Sequence, residues 1–331
     1  MSALIPGFDF AQVVVDPWSE NPAATAWVVV MGALVGTACG IVGSYLLLRR
    51  MALVGDAISH SILPGLVLVF LVFRHVSTPV MFLGAIGAGL LTIGIIEFIH
   101  RQTRVKADAA TCIAFTSLFA LGVVMISAAE TGGPIHIDAE CVLYGEIAFV
   151  PLEPPLMIAG LEIGPPSVIR MAGVTIVLVL LVLVFYKELL LTSFDPALAR
   201  SMGVNAGFWH YALMTALSIV VVSSFEAVGA ILAVAMLIVP AMFAAQLSFH
   251  LPTRFLLTAL HSAVSSLLGF HLAAWLGCST AAAMVVVGAF LFLAAWGLTS
   301  IRRKPRLFEG FDQKASAFDP AQGWIPRPNP E

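Results

Sequence analysis

The sequence predicts an all-α integral membrane protein with about nine transmembrane helices, and three observations lead there. Of the 331 residues, 60% are hydrophobic and 11% charged, with a mean hydropathy of +1.00; soluble domains carry roughly 25% charged residues. Apolar runs recur at 25-48, 57-73, 80-100, 109-128, 171-186, 207-225, 228-248, 255-275 and 280-301, most of them near the about 20 residues that a helix needs to cross a bilayer. A total of eight or ten also fits, because the second and fifth runs are short. Lys and Arg gather between alternate runs, at Arg49 and Arg50, at Arg101, Arg104 and Lys106, at Lys187 and Arg200, at Arg254, and from Arg302 to Arg306. The positive-inside rule puts those connections in the cytoplasm, with the N-terminus outside the cell (inner) membrane and the C-terminus inside. Arg74 and Arg170 stand outside this pattern.

Composition also excludes classes. A formal net charge of -3 gives no basis for a nucleic-acid partner. Cys39, Cys112, Cys141 and Cys278 are scattered without C-x-x-C spacing, so neither a zinc knuckle nor a redox motif is indicated. No Gly-Lys dipeptide occurs, hence no Walker-type phosphate loop, and no H-E-x-x-H occurs, which weakens a metalloprotease reading.

Taken in order, residues 1-24 form an N-terminal segment expected outside the membrane. Its first 21 residues hold acids and prolines but no Lys or Arg, so it lacks the basic region of a cleavable signal peptide and is expected to be retained. The first span ends at Arg49 and Arg50. The second opens with Gly55-Asp56-Ala57-Ile58-Ser59-His60, followed by Pro64 and Gly65. Asp56 and His60 are four residues apart, which on a helix stacks them on one face, about 5-6 Å apart at Cβ, close enough to bind one divalent cation. A second reading stands beside this one: Asp56 as an N-cap, with His60 a core histidine bonded to a carbonyl. Ionisable groups in membrane segments are costly and mark function by default, which favours the metal pair.

After the third and fourth spans, the connection 129-170 is mostly acidic and rich in proline, which suits an irregular outside loop with a short surface helix at about 139-149. His136, Asp138 and Glu140 alternate within it, so an extended segment would put them on one side as a delivery surface for cations, but a solvated acidic loop is the favoured account. The connection after the fifth span is punctuated as a short exposed helix at about 193-203: Asp195 as N-cap, Pro196 as first helical residue, Gly203 as stop. In the seventh span, Gly229 and its small neighbours suit close helix packing, and Pro240 is expected to break the helical ladder near the cytoplasmic end. Glu226, just before that stretch, is a candidate gate or ligand residue facing Asp56 and His60. His261 and His271 are read as packing or lipid-interface residues. The tail 302-331, with its five prolines, is expected to be disordered.

The stretch from Arg50 to Gly65 resembles the signature of the membrane permease subunits of ATP-binding-cassette importers for manganese, zinc and iron. The segment around 193-203 resembles the coupling helix of the same family, and Val228 to Ala241 resembles its second signature. The likeness runs from about residue 25 to 301. It departs at Thr111-Cys112, where a glycine is expected, and at Gly277-Cys278-Ser279-Thr280, which replaces a proline-glycine turn. The resemblance implies a type II importer permease fold and no permanently bound cofactor, the divalent cation (Mn, Zn or Fe) being cargo. It implies as partners a cytoplasmic ATPase, an extracytoplasmic metal-binding protein and a second permease copy or related permease. Ser193, Phe194, Asp195, Pro196, Ala199 and Gly203 would then carry ATPase coupling, Asp56 and His60 the metal, and Gly55, Pro64, Gly65, Gly229 and Pro240 helix packing; Glu226, an acid that the family motif does not require, stands as a metal candidate on its position alone. Two alternatives remain open: a membrane-embedded metalloenzyme, which needs a third ligand that the sequence does not offer, and a proton-coupled secondary transporter, which needs no docking helix.

Overall fold

The computed structural model describes residues 7-73, 78-130, 146-158 and 161-302, together with two short paired strands, Phe318–Asp319 and Gly323–Trp324. Among the described residues, eight helices are long and apolar enough to cross a membrane, and a ninth apolar segment, Leu232–Leu247, is shorter. A π-helical turn (Ala11–Val15) and α1 (Asp16–Glu20) lead into α2 (Pro22–Leu48), α3 (Leu53–Phe73), α4 (Thr78–Gln102) and α5 (Ala107–Glu130). After a 3-10 turn at Ile147–Leu152 and a β1–β2 hairpin (Leu156–Ile158, Leu161–Gly164) come α6 (Pro166–Val184), α7 (Tyr186–Phe194) and α8 (Pro196–Ser201). The last three are α9 (Ala206–Leu247), α10 (Leu251–Leu276) and α11 (Thr280–Arg302). The surface helix expected at 139-149 falls mostly outside the described residues, and what is described there begins as a 3-10 turn at Ile147. His136, Asp138 and Glu140 lie outside the described residues, as does most of the 302-331 tail.

The centre of the bundle is α2, whose residues from Ala38 to Leu46 are all buried. Apolar surface gains little by leaving one apolar solvent for another, so helices in lipid associate through close packing of small residues. Gly32, Gly36 and Gly40 supply this. A Cβ at these positions would collide with Ser266, Ser262 and Thr258 of α10 respectively, and one at Gly43 would meet the Leu237 backbone of α9. Ser266 Oγ donates to the Val29 carbonyl across the gap at 2.7 Å. The ascending glycines of α2 face descending positions of α10, so the two helices are antiparallel and Leu251 lies at the same end of the bundle as Leu48.

That geometry settles the shape of α9. A straight helix of 42 residues would run about 63 Å at 1.5 Å per residue. Yet its start lies beside Arg49, with His210 Nδ1 3.2 Å from the Arg49 guanidinium, while its end at Leu247 is four residues before Leu251. Both ends of α9 therefore lie at one end of the bundle, and the chain reverses. The reversal is at Gly229, whose φ of 74° and ψ of 169° fall in a region reserved for glycine. The spans expected at 207-225 and 228-248 are its two arms. One expectation is corrected here: the helix breaks at Gly229, ahead of Pro240, which sits inside the second arm.

Candidate functional site

Helix α3 begins at Leu53, so Asp56 is in the first helical turn and not at the N-cap. This removes the capping reading. Asp56 Oδ1 lies 3.4 Å from His60 Nε2 one turn later, and the side chains are 38% and 28% exposed. The pair is thus neither sealed in the core nor fully open. Its neighbours fix it. The His60 ring sits 6.0 Å from Phe115 and 5.9 Å from Phe119 of α5, while Ala57, on the adjacent face, is buried with Ile96, Ala110 and Ala114. Ser59 and Ser61 turn their hydroxyls back onto the Gly55 and Ala57 carbonyls, which leaves Asp56 and His60 as the outward polar groups of this turn.

The small and imino residues of α3 hold that orientation. A Cβ on Gly55 would run into Leu237 of α9; one on Gly65 would meet the Gly84 carbonyl and Ala88 of α4. Pro64 stays inside the helix and packs where a Cβ on Gly122 of α5 would have to go. Glu226 belongs to the first arm of α9, and its side chain lies outside the described residues. Among the described residues no cluster of three or more His, Cys, Asp or Glu could hold a metal ion. Among the described residues, the site therefore offers a divalent cation two ligands, an oxygen and an imidazole.

At the end of the bundle shared by Arg49, α7 and α8 are joined by a single residue. The Asp195 carboxylate accepts from the Ala197 and Leu198 amides, both at 3.0 Å, Pro196 is the first helical residue, and Gly203 follows with φ 82°. Ala199 is the buried residue of this helix, while Phe194, Leu198 and Met202 of the segment project outward. Ser193 is tied down, since Arg49 Nε donates to its Oγ at 3.0 Å and an Arg49 terminal nitrogen donates to Thr192 Oγ1 at 3.2 Å. Arg49 was missed by sequence reasoning, where it served only as a topology marker; its partners lie more than 140 residues away. Burial pulls its pKa below the ordinary arginine value, with Tyr45 opposing that shift.

The opposite end gathers the N-terminal segment and the region after residue 146. Trp18 Nε1 donates to His271 at 3.4 Å, Glu153 accepts from the Ser167 amide at 3.0 Å, and Gly164 lies against the Trp27 ring. His261, by contrast, is buried within the bundle, with Nε2 3.1 Å from the Gly288 carbonyl. The two histidines are packing residues, at different depths.

The model of the ABC 3 transport family matches residues 23–298. The chain belongs to that family. It is 42% identical over 279 residues to the manganese transport system membrane protein MntD of Bacillus subtilis, covering 82% of this chain and 93% of that one. It is 37% identical over 268 residues to the zinc transport system membrane protein TroD of Treponema pallidum, covering 81% and 72%. Among solved structures, PsaBC from Streptococcus pneumoniae in complex with Fab superposes with a TM-score of 0.70 at 32% identity, covering 87% of this chain and 95% of that one. Membership in the ABC 3 transport family and eight long apolar helices make this a multi-pass membrane transport protein.

Proposed function

We propose that this chain is the membrane permease subunit of an ATP-driven importer of divalent transition-metal cations, with Asp56 and His60 as cargo ligands on the translocation path. The Asp56–His60 pair carries the reading: two metal-ligating groups 3.4 Å apart on a membrane helix, in a chain of the ABC 3 transport family. Two ligands are too few to replace the hydration shell of Mn, Fe or Zn, whose sites take four to six. A second permease copy, or a related permease, facing the same pair across a two-fold axis would double the set. Oxygen and imidazole suit all three metals, and intrinsic affinity does not favour manganese, so selection falls to geometry and to an extracytoplasmic binding protein.

Energy comes from a separate cytoplasmic ATPase. The α7–α8 segment is its docking element, presenting Phe194, Leu198 and Met202 on a helix whose cap and Arg49 anchors keep it rigid. The basic end of the bundle then faces the cytoplasm, and Glu226 draws cations toward the path electrostatically. The test is uptake of radioactive manganese and zinc into vesicles holding the permease with its ATPase and binding protein. Asp56→Asn should remove most uptake at an unchanged yield of folded protein. Wild-type uptake by that variant would falsify the ligand role, and uptake that continues without the ATPase would favour a proton-coupled carrier.

A further inference from the structure

A metal-binding imidazole is ordinarily steadied by a hydrogen bond on its second ring nitrogen, which fixes the tautomer, sets the ring plane and makes the nitrogen on the metal more basic. His60 lacks that arrangement. Its Nε2 faces Asp56 Oδ1 at 3.4 Å, and among the described residues no protein group hydrogen-bonds its Nδ1. The hydroxyls of Ser59 and Ser61 on either side are engaged with carbonyls of their own helix. What the ring meets instead is aromatic. Phe115 lies 6.0 Å away at an interplanar angle of 33° and Phe119 5.9 Å away at 85°, both inside the range of about 4.5–7 Å at which aromatic rings attract. One ring is nearer to parallel with the imidazole and the other almost perpendicular, so a turn of the imidazole that relieves one contact spoils the other.

The two phenylalanines are four residues apart on α5 and share one helical face. Each is seated in a different apolar cluster: Phe115 packs on Ala57, Ile96, Ala110 and Ala114, and Phe119 on Leu63, Val67 and Ile126. Three residues beyond Phe119, Gly122 lets α5 close on α3, since a Cβ there would come within 2.9 Å of Pro64 and 3.1 Å of Leu63. We propose that Phe115 and Phe119 are positioning residues of the cargo site, holding the His60 imidazole with Nε2 toward Asp56 in the place of a hydrogen bond to Nδ1. The inference rests on the cargo-ligand reading of Asp56 and His60. It adds a property that a hydrogen-bonded histidine would not have. A carboxylate or carbonyl on Nδ1 would orient the ring and also strengthen its grip on the metal, whereas two uncharged hydrocarbon rings orient it and add no basicity. An ion that must bind and then leave is served by a ligand that is aimed but not strengthened. The clamp belongs to α5 and the ligands to α3, so the fit depends on how closely these two helices pack.

The test is a double-mutant cycle on uptake of radioactive manganese into vesicles holding the permease with its ATPase and binding protein, with folded yield, thermal unfolding and ATPase co-purification followed in parallel. Phe119→Leu, which keeps apolar bulk and removes the ring, should lower uptake about fivefold, the scale of an aromatic contact, with co-purification unchanged. Phe119→Tyr should keep at least about half of the wild-type rate, because the ring remains. In a His60→Ala background, whose residual uptake is counted over longer times, Phe119→Leu should cause no further loss, there being no imidazole left to orient. Should Phe119→Leu fail to fold, Phe115→Leu runs the same cycle. Wild-type uptake by Phe119→Leu, or the same fold-loss in both backgrounds, would overturn the proposal while leaving the ligand role standing. Wild-type uptake by His60→Ala would overturn the ligand role first, and the positioning role with it.

Discussion

The opening of α3 and the α7–α8 segment are both polar interruptions of an apolar chain, and they are finished in opposite ways. In the α7–α8 segment the polar groups are satisfied from within: Asp195 caps α8, Arg49 holds Thr192 and Ser193, and the outward surface is apolar, at Phe194, Leu198 and Met202. At α3 the apolar faces are satisfied from within, by Leu237, Ala88 and Gly122 against Gly55, Gly65 and Pro64, and among the described residues the polar pair has only itself for a polar partner. A rigid apolar surface suits a lasting contact with another protein. A half-exposed acid and imidazole suit a small ion that must also leave.

Separating the two regions experimentally sharpens this contrast. Deleting 195-203 should abolish both uptake and co-purification of the partner ATPase while the protein still inserts, because the deletion removes the only capped surface helix at that end among the described residues. Retained co-purification and uptake would break the docking assignment. His60→Ala should lower uptake by at least about tenfold, the scale of losing a metal-site group, yet leave ATPase co-purification intact; loss of both together would erase the distinction between the regions. Glu226→Gln should have a smaller effect, about twofold on uptake at low ionic strength and less at high salt, as expected of steering rather than ligation. The smallest effect belongs to the turn between α2 and α3. Arg50 holds φ 57° in a Schellman closure of α2, with the Arg50 amide on Leu47 and the Met51 amide on Leu46. Arg50→Gly should raise stability by no more than about 1 kcal/mol with uptake unchanged, read by thermal unfolding.

Much of this was legible in the sequence because it depends on local chemistry. Apolar run length placed the helices to within a few residues, and the Asp195-Pro196 punctuation located α8, since a cap and its helix are made by neighbours in the chain. The spacing of Asp56 and His60 gave a shared helical face for the same reason. Long-range choices were hidden. Nothing near Arg49 announces Ser193 or His210, and nothing near His60 announces Phe115 or Phe119. Pro240 drew attention as a breaker, but a proline needs only one missing hydrogen bond, whereas the positive φ at Gly229 reverses the whole chain. The glycines at 32, 36, 40 and 43 were a readable signal of close helix approach that went unused beside the stronger motif at 55-65.

The reversal at Gly229 also fixes the parity of the chain. With it, α9 goes out and comes back, and α10 begins at the end of the bundle where α2 finished. Were α9 one uninterrupted rod, every later helix would be threaded the other way, and the close of α11 would emerge beside Trp18 instead of beside Arg49. One residue without a side chain thus keeps the end of α11 and the α7–α8 surface on the same face of the bilayer.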